Sequence, residues 1–277
     1  MNENFDTDDT DDTDDTDSVV HKIDASICLA AIRKHNWKKL YDSIVASFDG
    51  KYTFELILCG PHNELPDELK EFDNIKLIQD FGCPTRAQQI ACIAATGKYL
   101  IWSADDGWFL PGKLAQCVKS LEEHPDSLKA LVTHYSEGGN AQGLSSFSCN
   151  FHEPVRSPYY PDSYLVFNSV ILLTEHFKDL GGLDCEFEVC PLAFVDYGVR
   201  THRDGATVIY REDVIFECTH FPGTTGDHAP VHFAQTEHDA PIYKRIHLNP
   251  NSIGRIKIPL DNWKNAPDRW IRRFGSA

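Results

Sequence analysis

Apolar runs of six or seven residues alternate along the chain with longer segments in which apolar residues recur every three or four positions. The short runs predict buried strands, and the longer segments predict amphipathic helices. We expect strands at 26–32, 54–59, 74–79, 98–103 and 129–135, and helices at 36–48, 66–72, 84–96 and 112–124. This alternation with short connections predicts an α/β fold with a doubly wound, mostly parallel sheet flanked by helices.

Local signals sharpen the ends and faces of these elements. Gly60 and Pro61 end the second predicted strand, and Gly97 ends the helix over 84–96. Helical spacing predicts one buried face on the first helix. Its apolar members are Trp37, Leu40, Ile44, Val45 and Phe48.

The second half of the chain is less regular. Residues 136–163 are rich in Gly, Ser, Asn and Pro and predict irregular structure, whereas 164–173 predict another strand. A helix is expected at 174–180, and a second one ends at Gly205 before a further strand. Residues 218–247 hold five histidines and few apolar anchors. The basic, aromatic end of the chain is expected to dock on the body.

The formal charge of −16 is unevenly distributed. Residues 1–24 contain ten acidic residues and one lysine, so the remaining chain carries a charge of only −7. An Asp/Thr repeat with almost nothing apolar to bury predicts a disordered acidic leader over 1–24. The mildly acidic body argues against nucleic acid as a partner.

Nine cysteines are scattered through the chain without a C-x-x-C pair. The odd number and the apolar surroundings predict reduced, mostly buried thiols, as in cytoplasmic proteins. No apolar run is long enough to span a membrane, and the acidic N-terminus is unlike a signal peptide. We therefore expect a cytoplasmic protein without a transmembrane segment.

Residues 99–114, YLIWSADDGWFLPGKL, place Asp105 and Asp106 side by side at the end of a predicted buried strand. Adjacent carboxylates repel, and the cost rises as water is excluded, so a positive group is expected beside them. Ligands of doubly wound sheets bind beyond the carboxyl ends of the strands. The patterns of phosphate loops, dinucleotide folds, hydrolase elbows and zinc peptidases are absent. Carboxylate chemistry at the sheet edge is what remains.

Five stretches in order resemble family 2 glycosyltransferases of the GT-A fold. ATGKYLIWSADDGWFLPGKL is similar to the strand that runs into that family's Asp-Asp or Asp-x-Asp motif. SICLAAIRKHNWKKLYDSIVAS and CPTRAQQIACIAATG resemble its first strand and helix and its Arg-containing helix. NSVILLTEHFKDLGGLD and FVDYGVRTHRDGATVIY resemble its acceptor-side loop and the helix that carries its acidic base. The resemblance covers residues 25–220.

The resemblance implies a single GT-A (Rossmann-like) catalytic domain at 25–220. Its nucleotide-sugar half is expected at 25–135 and its acceptor half at 136–220, followed by a lid or acceptor-side extension at 221–277. It further implies transfer of a sugar, with inversion, from a nucleoside diphosphate sugar donor to a glycan or other hydroxyl acceptor. Mn²⁺ or Mg²⁺ would neutralise the leaving diphosphate, because hard oxygen ligands hold such cations.

The same resemblance assigns candidate metal and donor residues. Asp106 is the expected metal ligand, Asp105 lies near the ribose or assists the metal, and His220 adds an imidazole ligand. Arg33 and Arg86 are expected to face the nucleotide. An acidic helix N-cap is the structural alternative for the acid pair. Surface exposure is the alternative for Arg86.

The candidate catalytic base is Asp196, with Asp184 as the second choice. The family's more frequent catalytic position aligns with Phe194, which cannot accept a proton. An ion pair between Asp196 and Arg200 is the expected structural role of Arg200. The strand LILCGPH carries Cys59 and Gly60 where family members often have an acid that recognises uracil, so the resemblance does not assign the base of the donor.

Two other functions are compatible with these residues. A GT-A-like protein without turnover could bind a glycan or a partner, since two acids of the family pattern are missing. A nucleotide-sugar pyrophosphorylase would share the sheet and the metal, but it needs a Gly-rich basic loop that AAIRKHNW lacks.

Overall fold

The computed structural model describes residues 23–124, 128–137, 155–157, 160–164, 167–219, 224–247 and 255–276. The first half forms strands β1 (Ala25–Ala30), β2 (Phe54–Gly60), β3 (Ile75–Gln79), β4 (Tyr99–Trp102), β5 (Gly107–Phe109) and β6 (Leu128–Glu137). Its helices are α1 (Trp37–Phe48), α2 (Pro84–Ile93) and α3 (Lys113–Glu122). The predicted alternation of strands and helices is confirmed over this half.

The second half adds strands β7 (Val155–Ser157), β8 (Tyr160–Tyr164), β9 (Val170–Leu173) and β10 (Thr207–Cys218). Its helices are α4 (Thr174–Asp179), α5 (Cys190–Arg203), α6 (Ala229–Ala234), α7 (Ala240–His247) and α8 (Ile271–Phe274). A π-helical turn over Gln235–Asp239 joins α6 to α7.

One sheet organises the molecule. Within the described ranges it contains eight strands in the order β3-β2-β1-β4-β9-β6-β10-β5. Strands β9 and β5 are antiparallel to their neighbours and the other pairs are parallel. The expected α/β class, with a mostly parallel sheet flanked by helices, is therefore confirmed.

Two apolar layers pack on the two faces of the sheet. Ile27 and Leu29 face helices α1 and α3, whereas Cys28 faces α2, α4 and α5. This alternation follows from the two-residue period of a strand, and both faces are apolar because helices cover both. All three residues are fully buried.

Several predicted elements differ from the structure. Val45 is 46% exposed, so its placement on the buried face of α1 was wrong, and Tyr41 is buried there instead. Residues 66–72 contain only a 3₁₀ turn, and in the described part of the stretch 164–173, strand structure is present at Tyr164, the end of β8, and in β9. Strands β7 and β8 pair within the stretch predicted to be irregular, and β5 was not predicted.

The C-terminal segment, residues 224–247 and 255–276, lies against the carboxyl edge of the sheet. The backbone N–H of Trp270 donates to the Phe81 carbonyl at 2.8 Å, and the Ile258 N–H donates to the Leu180 carbonyl at 3.2 Å. Asp239 accepts hydrogen bonds from the N–H groups of Glu188 and Val189, just before α5. The predicted docking of the basic, aromatic end on the body agrees with these contacts.

The eight described cysteines are thiols outside any disulfide, six of them buried, while Cys149 lies outside the described residues. Burial raises the pKa of the Cys83 and Cys117 thiols to about 12. No helix in the described ranges is long and apolar enough to cross a membrane. Of the acidic leader predicted over 1–24, residues 1–22 fall outside the described residues.

Candidate functional site

A central cavity of about 360 Å³ opens at the carboxyl ends of β1, β2, β4 and β6. One wall carries the acid pair and Arg33, and another is formed by the N-terminal turn of α5. The C-terminal segment covers the third side. The lining residues that matter below are Arg33, Cys59, Asp80, Trp102, Asp105, Asp106, Glu137, Phe194, His228, Trp270, Arg273 and Phe274.

Asp105 is almost entirely buried and organises the loop between β1 and α1. Its Oδ2 accepts the backbone N–H groups of Ile32 and Arg33, both at 2.5 Å, and its Oδ1 accepts Arg33 Nη1 at 2.6 Å. The Asn36 side chain donates to the Asp105 carbonyl at 2.9 Å. Both carboxylate oxygens are thus committed to the loop that carries Arg33.

Asp106 faces the cavity with fewer protein contacts. Its Oδ2 lies 3.8 Å from Arg33 Nη1 and 3.5 Å from His228 Nε2. Its backbone carbonyl accepts the Thr219 N–H at 2.8 Å, which joins the end of β10 to the acid pair. The two adjacent carboxylates therefore have different environments, one fixed within the fold and one directed at the cavity.

Arg33 is the positive group that meets the acid pair. Besides Asp105 and Asp106, its Nε lies 2.8 Å from Asp227 Oδ2, in the C-terminal segment. Burial opposes the guanidinium charge, but the three carboxylates outweigh that effect and raise the pKa of Arg33. Arg33 therefore links the sheet edge to the segment that covers the cavity.

Arg86 is buried beside the cavity and not among its lining residues. Its Nε donates to Asp80 Oδ2 at 3.0 Å, and its Nη1 donates to the Trp263 and Ala266 carbonyls at 2.6 and 2.9 Å. The guanidinium also lies 4.9 Å from the Trp263 ring centre. All of these partners are groups of the protein itself. A contact between Arg86 and a nucleotide stays a prediction.

Asp196 is fully buried and does not line the cavity. Arg200 Nε donates to its Oδ2 at 2.8 Å, and His247 Nε2 lies 2.8 Å from its Oδ1. Burial acts to raise the pKa of Asp196, but Arg200 and His247 outweigh it and lower the pKa. The expected ion pair between Asp196 and Arg200 is present. The role of Asp196 as a catalytic base stays a prediction, and its side chain does not line the cavity.

Asp184 is also buried away from the cavity lining. Its Oδ1 accepts the Glu186 N–H at 3.0 Å, and its Oδ2 contacts Arg255. As for Asp196, the base role remains a prediction.

Phe194 lines the cavity where the family resemblance leads one to expect a catalytic acid. Its ring stacks on Trp102 with centres 4.4 Å apart and planes 4° from parallel. Trp102 is held in place by its Nε1–H, which donates to the Phe167 carbonyl at 2.9 Å. This wall of the cavity is an aromatic platform.

The end of β2 has no room for a side chain at one position. A Cβ added at Gly60 would lie 1.9 Å from the Ala31 carbonyl oxygen, because the two strands approach closely there. The neighbouring Cys59 lines the cavity and burial raises the pKa of its thiol above the usual range.

The acid pair fits a divalent cation only in part. In the described ranges, no group of three or more His, Cys, Asp or Glu side chains is arranged to hold a metal ion. Asp106 and His228 remain as a pair whose Oδ2 and Nε2 are 3.5 Å apart. Ligand atoms about 2.1 Å from one cation can have that separation. His220 lies outside the described residues, and Asp105 has no uncommitted oxygen.

Comparison with known proteins places the fold. No family model and no curated protein matches the sequence. Residues 1–349 of S. aureus TarS, a GT-A-like glycosyltransferase, match with a TM-score of 0.53 and 15% identity over 71% of this chain and 60% of that one. The same fragment in complex with UDP-GlcNAc gives 0.52 and 14% over 75% and 60%. A longer TarS structure gives 0.54 and 15% over 77% and 39%.

This chain shares the fold of TarS, a mixed α/β arrangement consistent with a Rossmann-like GT-A domain. At these identities the likeness extends to the fold and no further. This chain also spans only 39–61% of the TarS structures that it matches.

The sequence pattern indicated the acid pair and Arg33 separately and gave no sign that they pair. It also missed Asp227, His228 and Arg273, which the C-terminal segment brings to the cavity. The histidine-rich, aromatic and basic composition of 218–274 was the available signal. That composition did not identify the residues that the segment contacts, because no local pattern indicates where such a segment packs on the rest of the protein.

Proposed function

We propose that this protein transfers a glycosyl group from a nucleoside diphosphate sugar to a hydroxyl acceptor. The observation that carries the proposal is the convergence of Asp105, Asp106 and Arg33 on one wall of the cavity at the carboxyl edge of the sheet. Ligands of such sheets bind at this edge. The likeness of the fold to TarS, which has been solved in complex with UDP and with UDP-GlcNAc, supports the donor class.

The residues act by holding charge and position. Asp105 fixes the β1–α1 loop, so the Arg33 guanidinium is oriented before a donor binds. A fixed positive group next to a diphosphate stabilises the charge that develops as the glycosidic bond breaks. The C-terminal segment covers the cavity and limits access of water, which would otherwise hydrolyse the donor.

Mn²⁺ or Mg²⁺ is part of the proposal, with Asp106 and His228 as the residues that fit it. The cation would neutralise negative charge on the diphosphate leaving group. Phosphate oxygens and water would complete its coordination, because hard cations take six or more ligands.

We further propose inversion, with Glu137 as the proton acceptor. Glu137 lies at the carboxyl end of β6 and lines the cavity. A carboxylate at that place can take the proton of an acceptor hydroxyl that attacks the sugar from the face opposite the diphosphate. In this proposal Asp196 and Asp184 keep their structural contacts with Arg200 and Arg255, and Glu137 has the base role.

The test is release of nucleoside diphosphate from a panel of nucleotide sugars with Mn²⁺, separated by chromatography. Asp106→Asn is expected to lower release roughly 100-fold or more while leaving the fold intact. Asp42→Asn, on the exposed side of α1 beside Lys38, is the matched control and is expected to behave like the wild type. Equal release by the Asp106 variant and the wild type would contradict the proposal.

Phe194 favours a second candidate, a glycan- or partner-binding protein without turnover. The aromatic platform of Trp102 and Phe194 occupies the wall where the resemblance leads one to expect the catalytic base. Aromatic faces stack on apolar faces of ligands without any proton transfer. Donor binding without release of nucleoside diphosphate, whatever acceptor is added, would favour this second function.

A further inference from the structure

Two arginines face the central cavity from different parts of the chain. Arg33 belongs to the loop after β1, and Arg273 belongs to α8 in the C-terminal segment. Asp227 contacts both of them. Its carboxylate lies 2.8 Å from Arg33 Nε, and its backbone carbonyl accepts Arg273 Nη2 at 2.6 Å.

This arrangement holds two guanidinium groups beside the carboxylates of Asp105, Asp106 and Asp227 in a partly dry site. Burial lowers the pKa of Arg273, and the nearby charge of Arg33 acts in the same direction, while Asp227 and Asp105 oppose it. Two guanidinium groups that repel each other within a cavity are stabilised by an anion placed between them. Within the protein, the Asp227 carboxylate supplies part of that negative charge beside Arg33, and the Asp227 backbone carbonyl accepts from Arg273.

The position of Arg33 is rigid, whereas the contact with Asp227 is adaptable. Arg33 is fixed at its backbone and at Nη1 by Asp105, which is buried. The side chain of Asp227 is 41% exposed and lies in a short turn before α6. An anionic ligand can therefore displace the Asp227 carboxylate without disturbing the loop that holds Arg33.

We propose that Arg33 and Arg273 form a two-arginine clamp for the diphosphate group of a nucleoside diphosphate, and that the Asp227 carboxylate competes for the same place. The inference rests on the proposed function for the identity of the ligand. Guanidinium groups suit this role because their fork of N–H donors matches phosphate oxygens and their charge is permanent. The clamp supplies positive charge to the diphosphate independently of any cation at Asp106.

The experiment measures binding by calorimetry in the presence of EDTA, with UDP and GDP as probes. The corresponding nucleosides and monophosphates provide the baseline. For the wild-type protein, affinity is expected to rise with each added phosphate for whichever base binds. If all members of both series bind equally, or none binds, the clamp is contradicted.

Three variants separate the clamp from a structural role. Arg273→Gln is expected to weaken diphosphate binding roughly 10- to 100-fold and to leave nucleoside binding unchanged. Arg272→Gln is the matched control, because its guanidinium pairs outside the cavity with Glu188 and Glu237. Equal weakening by the two substitutions would mean that the segment had merely loosened, which would overturn the clamp.

The sharpest variant is Asp227→Asn. The clamp predicts that it strengthens diphosphate binding, by about fivefold, because the competing carboxylate loses its charge. A purely structural Asp227 predicts weaker binding instead. Each variant is checked for an unchanged unfolding transition before its affinity is interpreted.

Failure of the clamp and failure of the proposed function give different results. Phosphate-dependent binding that needs Arg273, without release of nucleoside diphosphate under any condition, would support the clamp and count against glycosyl transfer. Release of nucleoside diphosphate that is insensitive to Arg273→Gln and Asp227→Asn would support glycosyl transfer and overturn the clamp.

Discussion

Asp105 and Asp106 are neighbours in sequence and differ in environment. Asp105 is 1% exposed and accepts three hydrogen bonds from the loop after β1, two from backbone N–H groups and one from Arg33. Asp106 faces the cavity and lies 3.5 Å or more from Arg33 and His228. The first carboxylate stabilises the fold and the second is available to a ligand.

We expect Asp105→Asn to lower the free energy of unfolding by about 2–4 kcal/mol, because a charge-assisted network loses its acceptor. Asp106→Asn is expected to change it by less than about 1 kcal/mol. Urea denaturation of both variants at neutral pH measures the difference. Similar losses for the two variants would show that the pair acts as one unit.

Asp196 gives a pH-dependent prediction at the same scale. The pKa of the Asp196 carboxyl group is lowered in the folded protein, so the folded state binds a proton at this carboxylate more weakly than the unfolded state does. The ion pair with Arg200 therefore stabilises the protein above the unfolded pKa of about 3.9, and the contribution is lost as pH falls through the folded pKa.

Asp196→Asn is expected to lower the free energy of unfolding at pH 7 by about 3–5 kcal/mol, since Arg200 would stay buried without its partner charge. The gap between variant and wild type is expected to narrow as the pH falls from 5 towards 3. Unfolding curves across that range provide the measurement. A gap independent of pH would contradict the ionised pair.

At the scale of elements, α1 separates what a helical pattern determines from what it leaves open. Ile44 is fully buried, whereas the adjacent Val45 is 46% exposed, although both are apolar. Successive helical residues point about 100° apart, so a pattern with neighbouring apolar residues leaves the edge of the buried face undefined.

Ile44→Ala is expected to cost about 2–5 kcal/mol of unfolding free energy, because it opens a cavity between α1 and the sheet. Val45→Ala is its matched control and is expected to change stability by about 0.5 kcal/mol or less. Thermal or urea unfolding distinguishes the two. A comparable loss at Val45 would place it in an interface.

The strands show the same division between local and distant information. β1, β2, β3 and β4 were predicted within one or two residues. β1, β2 and β4 are largely apolar strands covered on both faces, whereas β3 lies at the edge of the sheet and keeps Lys76 and Gln79 exposed. β5 is only three residues long and exists through pairing with the end of β10. Such pairing depends on a distant segment and leaves no periodic signal.

At the scale of the whole molecule, Arg86 connects the parallel half of the sheet to the C-terminal segment. It joins Asp80, after β3, to the carbonyls of Trp263 and Ala266. Through it the segment reaches the cavity, where Trp270, Arg273 and Phe274 form part of the wall.

Arg86→Gln is expected to increase amide hydrogen exchange in 263–274 by about tenfold or more, because the two hydrogen bonds from the guanidinium to the Trp263 and Ala266 carbonyls are lost. Protection of the β1 and β4 amides from exchange is expected to stay unchanged. Diphosphate binding is expected to weaken, because the segment that carries Arg273 is held less firmly. Loss of binding with no change in exchange would instead support the direct nucleotide contact predicted from the sequence.

The candidate site was accessible from sequence only where its residues lie next to each other or follow a strand. Asp105, Asp106 and Arg33 met that condition. Asp227, His228 and Arg273 did not, since their position depends on the return of a distant segment across the cavity. A resemblance that ends at residue 220 carries no information about them.

The close approach of β2 to β1 sets a limit on redesigning which nucleotide the protein accepts. An acid introduced at Gly60 would collide with the Ala31 carbonyl, since even a methyl group there lies 1.9 Å from that oxygen. An engineer who wants a base-reading carboxylate on this wall is left with Cys59, which already faces the cavity. That residue is completely buried, so the new charge would need a donor supplied with it.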